Sequence, residues 1–178
     1  MYLESKEIID RPCDEVYELV RDHLVKVAPY LPNIDKVEQV THQHSADCKN
    51  TVILNHWTAK VVVPEVAMKF IKKELFSWKD NAVWDNEKRV VNYQLESFWS
   101  KDIFVAKGAN YFTATADKKT ELRITCEVTL NPDKVPGVPG FLVKKVLPMI
   151  EDMVKAVLEP NLMGLAKGIR SYFDHAQK

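Results

Sequence analysis

The sequence has no net charge and no strongly biased segment. Lysine plus arginine number 25 in the 178 residues, and so do aspartate plus glutamate, so the formal charge at pH 7 is zero. Binding to nucleic acid through phosphates needs a basic surplus, and the balanced charge therefore argues against that function. The sequence contains no internal repeat, low-complexity tract or Gly/Ser linker. We expect a single domain over residues 1–178.

Cysteine is scarce, and long apolar runs are missing. Cys13, Cys48 and Cys126 are an odd number and lie far apart, which fits neither a disulfide framework nor the spacing of metal ligands. The first ten residues lack the apolar core of a signal peptide. No segment approaches the roughly 20 apolar residues of a membrane span. These features predict a cytoplasmic protein with reduced thiols.

The motifs of several enzyme classes are also absent. The sequence contains no Gly-rich phosphate loop, no nucleophile elbow and no HExxH motif. His42 and His44 would share one face of a strand, but a metal site needs at least a third ligand. Asp47 is the one further candidate nearby. We therefore expect neither a metal nor a cofactor.

The chain begins with the pattern of a strand followed directly by a helix. The segment YLESKEII alternates moderately, which predicts a first strand. Pro12 lies where a helix can begin, and Asp14 and Glu15 suit a helix N-terminus. The two prolines in APYLPNI end this helical region. A short second helix before Pro29 is a further expectation.

The middle of the chain has the composition of an antiparallel sheet. From Ile34 to Leu130 there are about six segments rich in Val, Ile, Thr and aromatic residues. They are separated by polar segments such as HSADCKN, KDNAVWDNEK and TADKKT, which we interpret as turns. In ELRITCEVTL every second residue is apolar, which predicts a strand with one buried and one solvated face. RVVNYQLES shows the same alternation.

The C-terminal region predicts one long helix. The connector NPDKVPGVPG is rich in turn residues, and the segment from Phe141 onward carries an apolar stripe at helical spacing. A helix of about 30 residues is about 45 Å long, which is enough to cross a whole sheet. Pro148 and Pro160 each remove a backbone hydrogen bond and should bend the helix. A bent helix can follow a curved sheet.

Short motifs occur in a fixed order along nearly the whole chain. They are PCDEVYELVRD at 12–22, YLPNI at 30–34, GANYF at 108–112 and TELRIT at 120–125. Together they resemble the START-like (SRPBCC) superfamily, which includes polyketide cyclase/dehydrase-like and lipid-transfer proteins. The resemblance implies an α+β helix-grip fold, in which a curved antiparallel sheet of about seven strands wraps around the long C-terminal helix. Two short helices after the first strand would close one end of an apolar cavity.

Aromatic residues are concentrated in the strand region. One sheet and one helix enclose a space that bulky side chains or a ligand must fill, so we predict a ligand cavity with an apolar wall. The predicted lining comprises Trp57, Phe76, Trp78, Tyr93, Leu95, Phe112, Ile124, Met149, Met153 and Val157. Ordinary core packing is the alternative for each of them. Phe112 is preferred to Tyr111 because Phe112 belongs to the more apolar alternate set.

The resemblance implies a ligand more directly than it implies a reaction. Most members of the superfamily bind a hydrophobic or amphipathic molecule, and a minority do chemistry on it, so the fold alone does not choose. We prefer a protein that binds or carries a lipid, an isoprenoid or a polycyclic compound. One alternative is a cyclase or dehydratase, with His56, Tyr93 and Glu74 as candidate acid–base residues. Another is a protein-interaction module without a ligand.

Basic residues decorate the predicted C-terminal helix at Lys144, Lys145, Lys155, Lys167 and Arg170. A solvated polar face is the ordinary explanation. The functional interpretation is transient contact with an anionic membrane surface during ligand uptake, because each basic side chain near such a surface contributes about 1 kcal/mol. Nothing in the sequence indicates an oligomeric state.

Overall fold

The computed structural model describes residues 1–60, 77–98, 104–131 and 140–176. Within these residues, seven strands form one antiparallel sheet with the order β1-β7-β6-β5-β4-β3-β2. The strands are β1 (Tyr2–Ile9), β2 (Ile34–His44), β3 (Asn50–Ala59), β4 (Ser77–Asp85), β5 (Val90–Ser97), β6 (Phe104–Ala114) and β7 (Thr120–Leu130). The helices are α1 (Cys13–Asp22), α2 (Leu24–Val27) and α3 (Gly140–Ala176), and Ala28–Tyr30 form a 3-10 turn.

The strands lie in sequence order across the sheet, except for β1, which lies next to β7. Consecutive strands from β2 to β7 pair as antiparallel neighbours, and β1 pairs with β7, where Leu3 lies opposite Cys126. The alternation in ELRITCEVTL is confirmed, since Leu122, Ile124 and Val128 are buried while Glu127 is exposed. The sheet therefore has a dry inner face and a wet outer face.

Helix α1 packs against the inner face of the sheet through an aromatic side chain. The ring of Tyr17 contacts the rings of Trp84 and Phe112 edge-on, with centroid distances of 5.3 and 5.4 Å. The Tyr17 hydroxyl donates a hydrogen bond to Asn86 Oδ1 at 3.0 Å. The predicted strand-to-helix transition is confirmed, with Pro12 at the helix N-cap.

Helix α3 confirms the prediction of one long C-terminal helix. It runs for 37 residues with Pro148 and Pro160 inside it. Ile169, near its end, is fully buried. Arg170 donates hydrogen bonds to the Ile8 carbonyl at 2.8 Å and to the Glu7 carboxylate at 3.0 Å, which tie α3 to β1.

The length of α3 raises the question of a membrane span. Neither α3 nor any other helix in the described ranges combines the length and apolar character that crossing a bilayer requires. Two of the basic residues noted above are paired, Arg170 with β1 and Lys155 with Glu159 at 3.8 Å. Contact of α3 with an anionic membrane surface stays a prediction.

One predicted turn is instead a strand. KDNAVWDNEK was interpreted as a polar turn, but β4 continues to Asp85 and the turn occupies residues 86–89. The prediction was wrong because polar residues on both faces hide the alternation of the strand. Trp78, Ala82 and Trp84 are buried at alternate positions, and Asp80 takes the same inward-facing place between them.

Candidate ligand-binding cavity

A cavity lies between the inner face of the sheet and helix α3. Its main chamber has a volume of about 90 Å³. Strands β3 to β7 supply one wall, and the 3-10 turn region and α3 supply the other. The lining is predominantly apolar and comprises Leu31, Trp57, Trp78, Asp80, Tyr93, Leu95, Asn110, Ile124, Asn161, Leu162 and Leu165.

A smaller chamber of about 50 Å³ adjoins the first on the side of α1 and α2. Trp57, Asp80, Tyr93, Asn110 and Leu165 line both chambers, so these residues form their common boundary. The smaller chamber is completed by Val20, Leu24, Asn55, Ala82, Trp84 and Val91. We call the two chambers together the sheet–helix cavity. Helices α1 and α2 contribute Val20 and Leu24 to the wall of the smaller chamber.

Strand register brings its polar and aromatic residues together. Asn55 on β3 lies opposite Asp80 on β4, and Asp80 lies opposite Leu95 on β5. Two residues along the same strands, Trp57 lies opposite Trp78. Their rings are stacked, with centroids 6.0 Å apart and an interplanar angle of 10°. Residues two apart on a strand share a face, so the aromatic pair adjoins the polar pair.

Asp80 is the charged side chain among the described residues of this wall. Its Oδ2 atom accepts a hydrogen bond from Trp57 Nε1 at 3.2 Å. Its Oδ1 atom is buried and has no hydrogen-bond partner among the described residues. Burial disfavours the ionised carboxylate and raises the pKa of Asp80 to about 6, although the hydrogen bond from Trp57 and the neighbouring Asn55 amide oppose that shift. The group therefore exchanges its proton close to neutral pH.

Other residues of the cavity wall have buried polar atoms without partners among the described residues. Asn55 Oδ1, Asn110 Oδ1 and Trp84 Nε1 have no hydrogen bond within the part of the chain that the structure describes. Asn55 is only 3% exposed. Buried polar groups in folded proteins are almost always hydrogen-bonded, so such a concentration needs an explanation. We call Asn55, Asp80 and Asn110 the acceptor set, because each has an unpaired oxygen atom.

Tyr93 is fixed by a hydrogen bond to the backbone. Its hydroxyl donates to the Thr125 carbonyl at 2.8 Å. Burial raises the pKa of Tyr93 far above its ordinary value, with Cys126 and Asp80 adding to the effect. A Cβ atom at Gly108 would overlap both the Tyr93 hydroxyl and the Thr125 carbonyl. Glycine at this position therefore permits the close approach that holds the Tyr93 ring in the cavity wall.

The structure places half of the predicted lining residues in the cavity wall, namely Trp57, Trp78, Tyr93, Leu95 and Ile124. Phe112 faces inward but packs beneath α1 against Tyr17 and Trp84 and does not line the described cavity. Tyr111 lies on the opposite face, where the Arg123 guanidinium stands 4.2 Å from its ring centroid.

The remaining predicted site residues are not part of the described wall. The His56 ring packs edge-on against Phe98 at 4.7 Å and lines neither chamber, because His56 alternates with the inward-facing Asn55 and Trp57. Two further predicted residues, Glu74 and Phe76, lie outside the described residues. The side chains of Met149, Met153 and Val157 also lie outside them, although the backbone of α3 is described there.

The acceptor set was not among the residues predicted from the sequence. Asp80 could have been found, because a period of two places it on the face of Trp78 and Ala82. Asn55 likewise precedes the inward-facing Trp57 by two residues. A charged or amide side chain at an apolar position of a strand is the signal that would have indicated a polar site.

The histidines considered as metal ligands lie next to other groups. His42 Nε2 lies 3.5 Å from Asp22 Oδ1, and His44 Nδ1 lies 2.9 Å from Thr51 Oγ1. Asp47 accepts hydrogen bonds within its own turn. In the described ranges, no three His, Cys, Asp or Glu side chains come together as metal ligands would.

Comparison with known proteins gives the fold. No protein-family model and no curated protein sequence matches the chain. The structure aligns with the Zhui aromatase/cyclase from Streptomyces sp. R1128 with a TM-score of 0.69 and 16% identity, over 100% of this chain and 96% of that chain. The chain therefore has the helix-grip fold.

Two other helix-grip structures are similar over nearly their whole length. Norcoclaurine synthase from Thalictrum flavum, in complex with dopamine and hydroxybenzaldehyde, aligns with a TM-score of 0.56 and 15% identity, over 100% of this chain and 88% of that chain. Ara h 8.0201 aligns with a TM-score of 0.53 and 12% identity, over 98% of both chains. At these identities, the likeness concerns the fold.

Proposed function

We propose that this protein binds a hydrophobic or amphipathic small molecule in the sheet–helix cavity. The observation that carries the proposal is a predominantly apolar cavity walled by Trp57, Trp78 and Tyr93 on one side and by Leu162 and Leu165 on the other. Burial of apolar ligand surface there contributes about 25 cal/mol per Å² before the costs of association are subtracted.

The helix-grip neighbours support a ligand of this kind. One is an aromatase/cyclase, and another was crystallised with two single-ring compounds, dopamine and hydroxybenzaldehyde. A cavity of about 150 Å³ engineered in another protein binds benzene, so the described chambers suit probes with one aromatic ring. The lipids, isoprenoids and polycyclic compounds predicted from the sequence are larger ligands that the same proposal includes.

A cavity-filling substitution tests the proposal. Leu165 lines both chambers, so Leu165→Trp should fill their boundary and weaken ligand binding at least tenfold. Calorimetric titration with toluene, naphthalene, farnesol and a fatty acid would measure this, together with mass spectrometry of extracts from the purified protein.

The control variant is Val52→Trp, which adds the same ring at a residue that is 48% exposed. It should retain wild-type affinity. The proposal fails if no compound binds the wild-type protein and none is recovered from it, or if Leu165→Trp binds as well as wild type.

A second candidate function is catalysis of a cyclisation or dehydration on a ligand in the same cavity. Asp80 favours it, since a carboxyl group with a pKa of about 6 can donate and accept a proton near neutral pH. Tyr93 is less suited to this role because its hydroxyl is committed to the Thr125 carbonyl.

Turnover of linear polyketide thioesters tests the second candidate. An enzyme of this kind should show a pH–rate profile with an apparent pKa near 6, and Asp80→Asn should abolish turnover while ligand binding persists. Binding without any product from such substrates would favour the carrier function.

A further inference from the structure

We propose that the ligand of the sheet–helix cavity carries an ammonium group on an apolar body, and that this group binds at the carboxylate of Asp80, next to Asn55. The inference rests on the proposed function and specifies the chemical class of its ligand. The carboxylate of Asp80 supplies the charge recognition, and the Asn55 amide supplies a further acceptor.

Three residues of the wall have oxygen atoms that lack a hydrogen-bond donor. Within the described residues, Asn55, Asp80 and Asn110 each have a buried oxygen atom without a partner, and Trp84 Nε1 is a buried donor without one. An ammonium group brings three N–H donors and no acceptor, which suits the Asp80 carboxylate. A hydroxyl group brings one donor, and a purely apolar ligand brings none and would leave the carboxylate unpaired at high cost.

No described residue of the wall supplies a cation that would compensate the charge of Asp80. Among the described residues that line either chamber, Asp80 is the one charged side chain, and Tyr93 is the other titratable group. Helix α3 faces the cavity with Asn161, Leu162 and Leu165, and the opening helices face it with Val20 and Leu24. Behind Tyr93 lies the buried thiol of Cys126. A bound cation would therefore complete an ion pair, whereas an anionic ligand would be repelled.

The aromatic part of the wall favours the same ligand class. Trp57 and Trp78 stand next to the carboxylate, with stacked rings, and Trp57 donates its indole N–H to Asp80. Aromatic faces attract ammonium groups and also bury the apolar body that carries them. Rotation of the Asn55 or Asn110 amide changes which of its atoms meets the ligand, but the charge preference set by Asp80 is the same in both orientations.

The experiment compares three single-ring probes that differ in one substituent. Benzylamine, benzyl alcohol and toluene would be titrated into the full chain by calorimetry at pH 7.5. We expect benzylamine to bind at least tenfold more tightly than the other two. Asp80→Asn should lower the affinity for benzylamine at least tenfold, and it should change the affinities for benzyl alcohol and toluene less than threefold. The control variant Glu127→Gln removes an exposed carboxylate of β7 and should leave all three affinities unchanged.

The pH dependence of the wild-type protein provides a test that needs no variant. The pKa of the Asp80 carboxyl is about 6. Lowering the pH from 7.5 to 5 should therefore reduce the affinity for benzylamine about tenfold, because Asp80 takes up a proton. Benzylamine stays charged over this range. Benzyl alcohol should bind equally well at both pH values.

Three results would overturn the inference. If benzylamine binds no better than benzyl alcohol and shows no pH dependence, the acceptor set serves a buried water, and binding of a neutral hydrophobic ligand stands. If none of the three probes binds while naphthalene, farnesol or a fatty acid does, the ammonium inference fails and the proposed function again stands. If no compound of either set binds, both fail together.

Discussion

Asp80 carries a charge into an environment that solvates it poorly. One of its carboxylate oxygens accepts a hydrogen bond from Trp57, and the other has no partner in the described residues. Desolvation therefore exceeds the stabilisation from hydrogen bonds, and the pKa rises to about 6. A functional site can retain such a destabilising charge because a ligand or a proton transfer uses it.

The raised pKa makes stability depend on pH in a defined direction. Between about pH 4 and pH 6, the folded protein binds a proton at Asp80 more tightly than the unfolded chain does. This proton binding stabilises the folded state at low pH, and the stabilisation is lost as the pH rises. Asp80→Asn keeps an acceptor for Trp57 and adds a donor for Asn55. We therefore expect the variant to exceed wild type in unfolding free energy at pH 7.5, by up to about 3 kcal/mol.

Urea denaturation at several pH values would measure this difference. It should shrink toward zero as the pH falls below about 4, where Asp80 becomes protonated in the unfolded chain as well as in the folded protein. The exposed-site variant Glu127→Gln should differ from wild type by a pH-independent amount. A constant difference between Asp80→Asn and wild type from pH 4 to 7.5 would contradict the assigned pKa shift.

At the scale of elements, Asn86 joins helix α1 to the β2–β3 turn and to strand β3. Its Oδ1 atom accepts hydrogen bonds from the Tyr17 hydroxyl at 3.0 Å and from Arg21 Nη1 at 3.1 Å. Its Nδ2 atom donates to the Cys48 carbonyl at 2.8 Å and to Thr51 Oγ1 at 3.2 Å. One side chain in the β4–β5 turn thus positions the helix that closes the small chamber.

Asn86→Ala should lower the free energy of unfolding by about 2–3 kcal/mol, because it leaves several part-buried donors and acceptors unpaired. Asn92→Ala, at an exposed position of β5, is the matched control and should change stability by less than about 0.5 kcal/mol. Urea denaturation measures both. Equal effects of the two substitutions would show that the Asn86 network contributes little.

The elements with one uniform apolar face could be predicted from the sequence. β7 and α3 were predicted because their alternation or helical stripe is local and unbroken. β4 was mistaken for a turn because Lys79, Asp80 and Asn81 put polar side chains on both faces. The polar residues of a binding site are those that disturb the pattern, so the strand next to the site is the one that the pattern fails to indicate.

Only the apolar part of the candidate site could be predicted from the sequence. Trp57, Trp78 and Tyr93 were identified as bulky residues on inward faces. The acceptor set depends on register between distant segments, since Asn55 faces Asp80 only after β3 and β4 pair. Local patterns do not specify which residues lie side by side across strands.

At the scale of the whole molecule, the cavity lies where distant parts of the chain meet. Its wall includes residues from Val20 to Leu165, and unfolding separates them. A ligand in the cavity therefore binds the folded state alone and stabilises it by mass action.

We expect the tightest-binding compound, present at about one hundred times its Kd, to stabilise the protein by about 2.7 kcal/mol. For a chain of this size that corresponds to a rise in Tm of about 5–10 °C. Differential scanning calorimetry measures the rise. Val52→Trp should show the same increase as wild type and Leu165→Trp almost none. An equal increase in both variants would place the bound compound elsewhere on the protein.

The stacked indoles of Trp57 and Trp78 give the protein an intrinsic optical reporter. Indole emission responds to the polarity and charge around the ring, and the Trp57 N–H is hydrogen-bonded to the carboxylate that we assign to recognition. A ligand or a proton that binds at Asp80 changes the environment of the Trp57 indole. Occupancy can thus be followed in unlabelled protein by fluorescence, and Trp57→Phe identifies the part of the signal that originates inside the fold.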